Sequence, residues 1–151
     1  MNLMPTYQKI ENRLRTAYKI DPHDNDMINL VKCRSVKLTQ LYLIISMHSG
    51  NSFVSASRKD SLAELMYAAS NKRITDPLSL SPTLVLRILE DDLGDPAQWL
   101  DAQFFEVEQL MKEWFVGYRE RRQISPEDYP ALPELQWSDL PNELFGLTPE
   151  S

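Results

Sequence analysis

Apolar side chains recur along this chain at three- and four-residue steps, and short polar turns containing Asp, Ser, Pro or Gly interrupt them. That rhythm predicts helices rather than strands. Tyr7, Ile10, Leu14 and Tyr18 mark a first helix from about Pro5 to Lys19, which Asp21-Pro22 interrupts. Asp24 or Asp26 caps a second, with Met27, Leu30, Val31, Leu38, Leu41, Tyr42 and Ile45 as its apolar stripe and an end before Gly50. Ser57 with Asp60, or Ser61 with Glu64, offers a start for a third helix that buries Leu62, Leu65, Met66 and Ala69. Ser81-Pro82 starts a fourth, with Leu84, Val85, Ile88 and Leu89 inward and a stop near Gly94. Asp95-Pro96 opens a fifth and longest helix, whose apolar face runs from Trp99 through Trp114 and Phe115 to Tyr118. The expected fold is therefore all-α, a single bundle of about five helices.

The pattern changes after Gln123. Five of the ten prolines (Pro126, Pro130, Pro133, Pro141 and Pro149) fall in residues 124–151, so long regular structure is not expected there. The expected organisation is a helical domain over 1–123 and an acidic, Pro-rich tail over 124–151, extended or docked. Charge sharpens this division. Residues 1–75 hold eleven Lys/Arg against six Asp/Glu, residues 76–123 five against ten, and residues 124–151 six acids with no Lys or Arg. The basic N-terminal half and the acidic tail can thus attract different partners.

With 151 residues, 42% of them hydrophobic, the chain has the apolar content for a core and lacks the signature of global disorder. No apolar run approaches the eighteen residues of a membrane span, and no basic segment followed by an apolar one marks a secretory leader. The single cysteine, Cys33, suits a reducing compartment. A cytoplasmic location without membrane association is the expectation.

Candidate chemistry is sparse. The polar turn around His23 lacks the central glycine and closing glutamate of a calcium loop, so its acids read as helix caps. His48 falls at the end of an apolar helix, where an imidazole complements the terminal carbonyls. Cys33 has basic neighbours but no cysteine or histidine near it in sequence, and reads as a packing residue. No phosphate-binding glycine loop, nucleophile elbow or zinc spacing is present. No catalytic residue, metal ligand or cofactor is expected, and the protein reads as a non-enzyme.

Binding is the better-supported class. Trp137, Leu140 and Leu144 stand three and four residues apart, with Phe145 beside them, Ser138 as a possible cap and Pro141 in the first turn. A short amphipathic helix of this kind anchors in a partner's groove or closes over its own core. Lys9, Arg13, Lys32, Arg34 and Lys37 form a basic series on the first two helices and are candidates for weak nucleic-acid contact.

The stretches Lys37-Leu38-Thr39-Gln40-Leu41-Tyr42-Leu43 and Ser79-Leu80-Ser81-Pro82-Thr83-Leu84-Val85-Leu86 resemble small replication accessory proteins of temperate tailed phages, in particular the replication B-type proteins of the peduovirus group. Size and helix-rich pattern agree over most of the chain. The resemblance implies a non-enzymatic adaptor that binds the host replicative helicase and helps to load it during phage DNA replication. No ATP-binding motif is present, unlike in the AAA+ class of loaders, and the resemblance transfers no individual residue role. The residues also leave open a nucleic-acid-associated regulator working through the basic N-terminal half, or an inhibitor or antidote whose acidic tail fills a basic site.

Overall fold

The computed structural model describes residues 4–51, 57–93 and 132–147. The fold is all-α, and among the described residues no strand occurs. The helices are α1 (Met4–Ala17), α2 (Asn25–Asn51), α3 (Arg58–Ser70), α4 (Pro82–Ile88) and α5 (Glu90–Leu93). Single turns stand at Pro77–Ser79, Trp137–Asp139 and Asn142–Phe145. The expected fifth helix, with Trp114 and Phe115, lies outside the described residues.

The chain divides into two compact units. Unit one takes Met1–Thr39 and Gly94–Pro133, and unit two takes Gln40–Leu93 and Glu134–Ser151. The boundary expected after residue 123 lies outside the described residues, and α2 contributes to both units.

In unit one, the expected stripe of α1 is buried. Ile10 and Leu14 are fully enclosed and Tyr7 nearly so, while Tyr18, just past the helix, is half-buried. The end of α1 is set by Lys19, whose positive φ of 51° turns the chain out of the helix. Asp24 then caps α2, accepting from the Met27 amide at 3.2 Å. The helix runs through Gly50 to Asn51 rather than stopping before the glycine, because a glycine within a helix weakens it without ending it.

More of α2 is buried than its apolar stripe predicts. Ser35, Val36, Thr39, Gln40 and Leu43 join Val31, Leu38, Leu41 and Ile45 in the interior. Two of its buried polar groups are satisfied locally and a third by a distant partner. Ser35 and Thr39 donate their hydroxyls to the carbonyls one turn back, of Val31 and Ser35, at 2.7 Å each. In unit two, the Gln40 side-chain amide donates to the Leu93 carbonyl at 3.1 Å and so satisfies the end of α5.

The start of α3 is the Ser57 cap, which accepts from the Asp60 amide at 3.1 Å. Ser61, the other candidate cap, lies inside the helix; it is fully buried and shares a 2.7 Å hydrogen bond with Ser49. Leu62 and Met66 are buried, Leu65 is half-buried, and Ala69 in the last turn is exposed. Asn71 ends α3 in the left-handed conformation, with φ 58°, and its amide donates to the Tyr67 carbonyl at 2.8 Å. Ser81 caps α4 as expected, accepting from the Leu84 amide at 3.2 Å, with Pro82 at the first helical position. Inward positions on α4 are Pro82, Val85 and, at its end, Leu89. Leu84 stands about 100° round the helix from Val85 and is exposed, contrary to expectation.

Replacing Ser57 by Ala removes the acceptor for the first turn of α3. A stability loss of about 0.5–2 kcal/mol is expected, to be read as a lower denaturation midpoint, while Ser57→Asp should restore most of it.

Candidate functional site

The C-terminal segment is where most of the candidate anchors lie, and proline dictates its local form. A continuous amphipathic helix over 137–145 does not form. Instead, a 3-10 turn at Trp137–Asp139 is followed by an extended Leu140 (φ −82°, ψ 131°) and then one helical turn at Asn142–Phe145. The ring of Pro141 disfavours helical geometry at the residue before it, and Leu140 accordingly opens out. The 3-10 turn is tied by Asp139 rather than capped by Ser138, since the Gln136 amide donates to Asp139 Oδ2 at 3.0 Å.

These turns separate the four anchors. Leu140 and Phe145 are buried, at 5% and 1% exposure, together with Leu135 and Leu147. Trp137 and Leu144 are half-buried. The Trp137 indole N–H donates to the Leu80 carbonyl at 2.8 Å, which satisfies its polar atom and leaves the rest of the ring for apolar contact. The Phe145 ring meets Tyr42 of α2 edge to face, at 5.9 Å and 76°. The Arg58 guanidinium also lies 5.3 Å from the Tyr42 ring centroid and donates to Ser46 Oγ at 3.2 Å. Gly146, at φ +57°, closes the last turn, and a Cβ there would sit 3.4 Å from Arg58 Cδ. Three points of unit two (Tyr42, Arg58 and Leu80) thus meet the segment 137–146.

Along α2 and α3, the same unit carries a polar seam. His48 Nε2 lies 3.1 Å from Glu64 Oε2, one residue from the Ser49–Ser61 pair. Because a carboxylate oxygen only accepts, Nε2 is the donor here, and Nδ1 is buried with no hydrogen-bond partner among the described residues. His48 stands in the last turn of α2, as expected, and pairs there with Glu64 of α3. Lys59 lies 3.2 Å from Asp76. Among the described residues, no three His, Cys, Asp or Glu side chains gather as a metal site would require.

The residues of the basic series differ in exposure. Lys9 and Arg13 are exposed on α1, and Lys32 and Lys37 are half-buried on α2. Arg34 is committed within unit one: its Nη1 donates to the Tyr18 hydroxyl at 2.8 Å and to the Pro133 carbonyl at 2.7 Å, and the guanidinium lies 5.4 Å from the Tyr18 ring centroid. Spacing in sequence gave no sign of this, because Pro133 is ninety-nine residues away.

Large apolar groups outside the core are what the sequence reading missed. Met47, Tyr67 and Leu84 are exposed by 48%, 53% and 39%, on α2, α3 and α4. Residues 37–43 lie within α2, residues 79–86 run from the 3-10 turn at Pro77–Ser79 into α4, and many of them are interior. The protein is thus an all-α protein with no helix, among the described residues, long and apolar enough to cross a membrane. Comparisons with protein-family models, curated proteins and solved structures found no match.

Proposed function

We propose that this chain is a non-enzymatic protein–protein adaptor, in its most specific form a phage DNA-replication accessory protein that binds the host replicative helicase and helps to load it. The supporting observation is the exposure of Met47, Tyr67 and Leu84 on three helices of unit two. Leu41, Leu43, Ile45, Leu62, Met66, Val85 and Leu89 are already enclosed, so these three side chains are surplus to internal packing. Met and Tyr are enriched at protein interfaces, where the one adapts its shape and the other pairs a large apolar face with a hydroxyl. The helicase as partner rests on the resemblance of residues 37–43 and 79–86.

The test is complex formation between the full chain and purified bacterial replicative helicases, after nuclease treatment and in high salt. Co-elution is expected, as is its loss on joint Met47→Asp and Tyr67→Asp substitution, both at exposed positions. No complex with the native chain would reject the helicase as partner. A complex untouched by the double substitution would move the interface elsewhere.

A further inference from the structure

Residues 134–147 are joined to the rest of unit two in the manner of a docked peptide. Residues 94–133 separate them in sequence from Gln40–Leu93. The amides of Asp139, Leu140, Leu144, Phe145 and Gly146 all donate to carbonyls within the segment itself. Its tie to Gln40–Leu93 runs through side chains: the Phe145 ring meets Tyr42 and the Trp137 indole donates to the Leu80 carbonyl, while Leu135 and Leu140 are buried. Aromatic and apolar anchors of this kind are how short peptides seat in a groove. The base of the segment is equally defined. Pro133, the last residue of unit one, has its carbonyl held by Arg34 at 2.7 Å, and Leu135 is already enclosed at 2% exposure. Only Glu134 lies between them, and it is exposed, so the segment can part from unit one without disturbing a buried side chain.

We propose that unit two can take residues 134–147 of a second copy of this chain in place of its own, so that two copies exchange segments and form a dimer. The occupant is fixed by identity: the contacts made with Tyr42 and Leu80 in one chain are available, unchanged, to the same residues arriving from another. Reciprocal exchange of an identical element therefore sacrifices no contact, and the product is two-fold symmetric. What opposes it is the attached copy, which competes at an effective concentration on the order of millimolar. The proposal is independent of the adaptor reading, which rests on Met47, Tyr67 and Leu84.

The experiment is fluorescence anisotropy of a labelled synthetic peptide of residues 134–147, titrated with the full chain. With the native chain, half of the peptide is expected to be bound at a chain concentration on the order of millimolar, where it matches the attached copy. Trp137→Ala in the chain weakens the attached segment alone and should lower that concentration about tenfold, the equivalent of about 1.4 kcal/mol. The same substitution in the peptide should raise it by the same factor, and in both together it should restore the native value. Circular dichroism checks the fold of the variant chain. Should Trp137→Ala disturb it, Trp137→Phe, which removes the indole donor to Leu80 and keeps an aromatic ring, decides by a shift of the same sign. Sedimentation of the native chain should show dimers over the same concentration range. A chain that stays monomeric there, a variant chain that binds no peptide, or shifts of one sign wherever the substitution is placed would each overturn the proposal.

Discussion

Phe145→Ala is expected to cost about 3–5 kcal/mol of folding stability, the range for an aromatic ring deleted from a packed interior. The ring is 1% exposed and meets Tyr42 edge to face, so its removal opens a cavity and deprives Tyr42 of an aromatic contact. A loss of that size is a large fraction of the stability of a typical domain. Chemical denaturation followed by circular dichroism measures it. Trp137→Ala should cost clearly less, since that side chain is only half-buried and loses one hydrogen bond, to Leu80, with part of its contact area. If the order were reversed, Trp137 rather than Phe145 would be the anchor of the segment. An unchanged midpoint for Phe145→Ala would show that residues 134–147 are not part of the folded interior.

The second large effect is at Leu62, fully enclosed on α3. Leu62→Ala should destabilise by about 2–5 kcal/mol, a spread that reflects how far the neighbours can relax into the space. Its neighbour Ser61 is equally buried but pairs with Ser49 at 2.7 Å. Ser61→Ala deletes one partner of a buried pair, for which about 1–3 kcal/mol is expected. Leu65→Ala, at a half-buried site, should cost less than Leu62→Ala. The same denaturation experiment ranks all three, and equal losses at Leu62 and Leu65 would mean that the inward face of α3 is misassigned.

Local signals served well wherever the deciding interactions lie within a few residues. Asp24, Ser57 and Ser81 each accept from an amide three residues on, and all three caps were legible as residue types before a helical pattern. The apolar periodicity of α1 placed Tyr7, Ile10 and Leu14 inward, and the structure buries all three. Errors arose where a pattern had two physical solutions. Ser61 fits a capping motif as well as Ser57 does, but only one of them can start the helix. Leu84 and Val85 are both apolar neighbours, and only packing decides which faces inward. Trp137, Leu140 and Leu144 keep helical spacing, yet Pro141 acts on the residue before it and divides the segment into two turns.

By itself, the sequence determined the all-α class, the candidate caps, the inward face of α1 and the scarcity of recognisable catalytic motifs, because hydrophobic period and capping chemistry act over one or two turns. Only the tertiary structure decided which side chains of equal chemical type are committed and which are exposed. Arg34 is held by Tyr18 and by Pro133, far along the chain, whereas Lys9 is exposed. Phe145 is enclosed and Trp137 only half so, whereas Met47 and Tyr67 stand outside. Such distinctions depend on contacts between distant segments, and those are set by how the elements pack rather than by the spacing of residues along one of them.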